Sequence, residues 1–120
     1  MLKNEILEWV RDSVERIQGG EDLGRELPPI LDFFRHQLDQ TYAEYEQEAP
    51  TGAEEIRDTM LESIDLYCRA LECLEKYLEE PNPKLLALAV RSAEEGSDLL
   101  GLVRSIVSQS QDWISQYSEV

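Results

Sequence analysis

The sequence predicts an all-α fold, an up-down-up-down four-helix bundle, from three observations. Apolar residues recur at intervals of three and four along four separate segments. No segment shows the strict alternation of a half-buried strand. The segments are separated by Gly and Pro, the residues that end and open helices. The spacing places helices at about residues 2–18, 28–48, 52–79 and 83–109, with an aromatic C-terminal tail extending or capping the last. A chain of 120 residues reads as one domain, 1–120. It is long enough to bury roughly 65% of its unfolded surface and so to hold its own core.

Each element has its own signals. In the first segment Leu2, Ile6, Val10, Val14 and Ile17 share one face, and Gly19-Gly20 supplies a left-handed residue to end the helix. Residues 21–26 then read as a polar linker. The second helix opens on Pro28-Pro29, since a first-turn N–H has no partner to lose. Leu31, Phe34, Leu38, Thr41 or Tyr42, and Tyr45 alternate by three and four along it, and it stops before Pro50, which disfavours helix at Ala49. Thr51-Gly52-Ala53-Glu54 has the form of a capping box. Met60, Ile64, Tyr67, Leu71, Leu74 and Leu78 continue from it at alternating four and three. In Pro81-Asn82-Pro83, Asn82 is placed to cap the fourth helix and Pro83 to occupy its first position. Its core stripe is Leu86, Ala89, Ala93, Gly96, Leu100, Val103 and Val107. The small residues within the stripe predict close approach of another helix bearing Tyr or Phe.

With 26 acidic and 11 basic residues the formal charge is −15. Phosphate contacts need clustered Lys and Arg, and here the basic residues are scattered among acids, so nucleic acid is not the expected partner. Anionic membrane surfaces repel such a chain, and no run of about 18 uncharged apolar residues is present to span a bilayer. The N-terminus does not read as a signal peptide, and a cytoplasmic location is expected. Cys68 and Cys73 are the only cysteines. On one helix they are turned about 140° apart, which forbids a bridge between them.

The titratable residues point away from catalysis. His36, the only histidine, projects opposite Leu31, Phe34 and Leu38 and is expected in solvent. Histidine phosphotransfer domains also present an exposed mid-helix imidazole, but they carry a Lys and a small residue shortly after it, where this chain has Asp39 and Gln40. Asp58, Glu62, Asp65 and Glu72 line the third helix, and Glu55-x-x-Asp58 and Glu62-x-x-Asp65 have the spacing by which acidic helical bundles hold Mg²⁺ for nucleotide hydrolysis. These pairs project opposite the core stripe, and i,i+4 pairing of Asp65 with Arg69 and Glu72 with Lys76 is expected instead. One imidazole cannot build a di-iron carboxylate site. No catalytic, cofactor or metal residues are therefore assigned. The run Tyr67–Leu78 resembles the second helix of a tetratricopeptide unit, but the helix continues back to Thr51 without the turn such a repeat needs.

Surplus apolar surface is the remaining signal. Leu88, Leu99, Leu102, Ile106 and Trp113 fall to one side of the core stripe of the fourth helix and widen its apolar arc to about 200°, more than a surface helix of a bundle needs. Either Trp9, Phe33 and the tail cover this flank, or a partner does. The expected function is that of a non-catalytic acidic helical interaction module, self-associating as a dimer or binding a protein as an adaptor or chaperone. The alternative is a metal-dependent nucleotide hydrolase of the acidic all-α type.

Overall fold

A computed structural model describes residues 5–47 and 54–118, with side chains on the last helix described as far as Ser105. The four predicted helices are present: α1 (Glu5–Gln18), α2 (Leu27–Gln47), α3 (Glu54–Glu79) and α4 (Pro83–Ser118). Leu2, Pro50 and the capping residues Thr51, Gly52 and Ala53 lie outside the described residues. Of the two alternatives for the tail, extension holds: α4 continues past residue 109 to Ser118. No Gly or Pro interrupts residues 102–118, and nothing local stops the helix there.

The helix ends form as their sequences dictate. Gly20 has φ 95°, and its N–H donates to the Ile17 carbonyl while that of Glu21 donates to the Arg16 carbonyl. This pair of bonds is the Schellman closure of α1. The Arg16 side chain then reaches over the turn to Glu21 at 2.7 Å and to Glu26 at 2.9 Å. The linker is less polar than its composition suggests, because Leu23 is buried in the core. At the start of α4 the Asn82 side-chain oxygen accepts the Lys84 N–H at 3.1 Å, with Pro83 at the first helical position.

Three side-chain pairs set the packing register. Arg11 meets Glu94, Arg35 meets Glu75, and the Ser63 hydroxyl donates to the Gly96 carbonyl at 2.7 Å. Ser63 and Gly96 lie about equally far from the short turn that joins α3 to α4, as Trp9 and Phe34 do from the one joining α1 to α2, so successive helices run antiparallel. The pair α3 and α4 is the most extensive, with α2 against α3 and α1 against α4. Trp9 and Phe34, 5.1 Å apart between ring centroids, join α1 to α2.

The core is Ile6, Leu7, Val10 and Val14 of α1, Leu23 of the linker, Leu27, Leu31, Phe34 and Leu38 of α2, the six-residue stripe predicted for α3 except half-buried Leu78, together with Ala70 and Cys73, and Leu86, Ala89, Ala93, Leu100 and Val103 of α4. Tyr67, fully buried, lies against Gly96. A Cβ at Gly96 would stand 3.1 Å from the Ser63 carbonyl oxygen and 3.5 Å from the Tyr67 ring. The small residues of α4 therefore do what their spacing predicted: they let a tyrosine-bearing helix approach closely.

The molecule measures 61 × 25 × 20 Å, with a radius of gyration of 17.0 Å, against roughly 14 Å for a compact chain of this length. The elongation follows from register. With Ser63 opposite Gly96, Glu54 at the start of α3 comes level with about residue 105 of α4. With Arg11 opposite Glu94, the start of α1 comes level with about residue 100. All four helices thus overlap only along the first half of α4. Residues 106–118, about 20 Å of helix, run beyond the described parts of the other three.

Candidate functional site

The expected polar sites are placed apart from one another. His36 is exposed on α2. Asp58, Glu62, Asp65 and Glu72 are exposed on α3, on the side away from the core as their projection predicted. No group of three or more His, Cys, Asp or Glu among the described residues is clustered closely enough to hold a metal ion. The i,i+4 pairs expected for Asp65–Arg69 and Glu72–Lys76 are not among the ion pairs of the described residues; on this face Arg35 of α2 reaches across to Glu75 instead. An exposed intrahelical pair gains too little in water to fix two long side chains.

The thiols are quiet. Cys73 is buried and Cys68 half-buried, and neither is in a disulfide. Burial, and then the nearby Asp39, Asp65 and Glu72 carboxylates, push the Cys68 thiol up to about 11. Burial also raises Cys73. Both are protonated near neutrality and poor nucleophiles. The buried Tyr67 hydroxyl lies near Ser97, close enough for Ser97 to oppose the upward push of burial on its pKa. The pair does not reach the geometry of a full hydrogen bond.

The apolar flank of α4 is the feature that remains. Leu102 is 51% exposed and Leu88 46%, while Leu99 is half-buried. The side chains of Ile106 and Trp113 lie outside the described set. The flank is not one uninterrupted row. Arg91 and Glu95, paired at 3.6 Å, occupy the same side of the helix between Leu88 and Leu99, which are themselves about 16 Å apart along the axis. Leu88 is therefore isolated from Leu99 and Leu102. Of the residues that offered cover, Trp9 packs at a tilt against Phe34 and Phe33 is 57% exposed on α2. The third helix differs: Leu61, Leu66, Cys68 and Tyr77 on its flanks are all at least half-buried, because α3 touches each of the other helices.

Two open grooves flank the bundle. One, lined by Arg11, Val14, Glu15, Val90, Arg91 and Glu94, separates α1 from α4. The other lies beside the Arg35–Glu75 pair. Both are wide, shallow and rimmed by exposed charges, and neither gathers a nucleophile and a base. A scan of protein families finds no match for the chain, and comparisons with curated proteins and with solved structures find no similar protein.

Proposed function

We propose that the protein is a non-catalytic helical interaction module whose binding face is the distal, apolar part of α4. The supporting observation is Leu102. It is a large aliphatic side chain left half in water beside Leu99 on a helix that outruns its own bundle. Burying apolar surface is worth about 25 cal/mol per Å², so a face of this kind favours association with a protein surface. Its companions in the face are Leu99, Ile106 and Trp113, with Leu88 as an outlying contact. The free, protonated thiols agree with work in a reducing compartment such as the cytoplasm. Among the described residues no helix is long and apolar enough to cross a membrane, and the acidity favours a protein partner over nucleic acid or an anionic lipid surface.

The test is Leu102→Glu and Ile106→Glu, read by light scattering and circular dichroism. For a binding face, helicity and unfolding midpoint stay close to wild type while the assembly is lost. Variants that unfold would assign this part of α4 to the core. Folded variants unchanged in association would remove the proposal. Nucleotide hydrolysis is the competing reading, and calorimetry with Mg²⁺, Mn²⁺ and Zn²⁺ separates the two. The outward α3 carboxylates predict no site tighter than about 100 µM; tight stoichiometric binding with triphosphate hydrolysis would favour the enzyme.

A further inference from the structure

The binding face proposed above has an electrostatic property that selects its occupant. Between Leu99 and Ser118 the only charged residues are Arg104 and Asp112, which cancel. The chain carries −15; Glu119 contributes one of these charges, so residues 1–98 hold −14. Nearly half of the exposed positions described among residues 5–98 are Asp or Glu, whereas apart from Arg104 and Asp112 the polar residues of this stretch are almost all Ser and Gln. No other stretch of 20 residues in the chain carries so few charges, so this one presents the least like charge of its own to another acidic protein. A basic partner would be drawn to the acidic bundle rather than to this neutral end.

The helix itself also calls for a neighbour. Residues 106–118 run past the described parts of α1, α2 and α3. Isolated helices of about a dozen residues are marginal in water, and Ser is not among the strongest helix formers. Yet the stretch is helical and carries apolar positions 106, 107, 113, 114 and 117, which continue from Leu99, Leu100, Leu102 and Val103 at intervals of three, four and seven.

We infer that the occupant is a second copy of this chain, with residues 99–118 of the two α4 helices paired antiparallel about a two-fold axis. This rests on the interaction-module reading and extends it. Orientation follows from charge. A parallel pair would set two bundles of −14 side by side. An antiparallel overlap of about 20 residues places them at opposite ends of roughly 30 Å of helix, several times the Debye length of about 8 Å at physiological salt. The arrangement is self-complementary, as a two-fold interface must be.

The experiment is sedimentation equilibrium on the full chain, combined with spin-label distances from Ser118→Cys, labelled near pH 7 where Cys68 and Cys73 are protonated and poorly accessible. The expected mass is twice 13.8 kDa, with Leu102→Glu reduced to a single copy of unchanged helicity. The expected label separation is nearer 30 Å than 10 Å, since Ser118 of one copy lies opposite Leu99 of the other. A dimer with labels about 10 Å apart would overturn the antiparallel arrangement. A monomer at 0.5 mM, ~500-fold above a dissociation constant of about 1 µM, would overturn the second copy as occupant. In that event hydrophobic dye separates the two readings. Dye bound by wild type and lost in Leu102→Glu leaves an apolar face for another protein; dye bound equally by both overturns the face as well.

Discussion

At the scale of single residues, the contact between α3 and α4 is the most demanding. Ser63, Tyr67 and Gly96 meet there so closely that a methyl group on Gly96 fits only if the Ser63 carbonyl gives way by a few tenths of an ångström. Gly96→Ala should gain up to about 1 kcal/mol of helix propensity and lose about 1–3 kcal/mol to overpacking, since the obstacle is a helix carbonyl rather than a flexible side chain. The expected net effect is a destabilisation of about 1 kcal/mol, measured by urea titration; a stabilised variant would show that the helices part easily. Leu71, fully buried at the centre of α3, should cost roughly 2–5 kcal/mol when changed to Ala. A loss below about 0.5 kcal/mol would contradict the packing.

The thiols give a pH prediction with a definite sign. The folded-state pKa of Cys68 is about 11, against an ordinary 9.0, and Cys73 and Tyr67 are also raised. The folded protein therefore holds these protons more tightly than the unfolded chain. Their contribution to stability is complete below about pH 9 and declines as pH rises toward 11. Melting temperature should fall over that interval, and less steeply in Cys68→Ser; a flat profile would mean that the thiols are hydrated.

At the scale of elements, starts and stops were legible where a local chemical device makes them. Gly20 and Asn82 each act on their own neighbours, so reading six residues suffices. Asn82→Ala should therefore cost about 1 kcal/mol through the exposed Lys84 N–H, visible as a lower urea midpoint with unchanged helicity; no change would show that Pro83 alone starts α4. The orientation of His36, of the α3 carboxylates and of the small residues facing Tyr67 was also readable, since a helix fixes direction once its apolar stripe is known. Other features were not. Arg35 pairs with Glu75 across two helices, and the sequence of one helix carries no record of its register against the next. The separation of Leu88 from Leu99 was hidden because projection down a helix axis discards distance along it. The end of α4 was hidden because Ser and Gln neither stop a helix nor mark it as buried.

At the scale of the whole molecule, charge and length act together. Residues 1–98 hold a charge of −14, while a segment of the last helix with few charges runs past the described parts of the other three. Leu99 and Leu102 stand where the bundle gives way to that segment, so their flank has neighbours on one side and water on the other. Hydrogen exchange of the full chain at about 1 µM and about 200 µM reads this arrangement most directly, because an unaccompanied stretch of helix opens readily and a paired one does not. The account predicts that amides of residues 106–117 exchange rapidly in the dilute sample and are protected in the concentrated one, with the bundle core slow in both. Exchange in this segment that is equally fast at both concentrations, or equally slow at both and in Leu102→Glu, would contradict it.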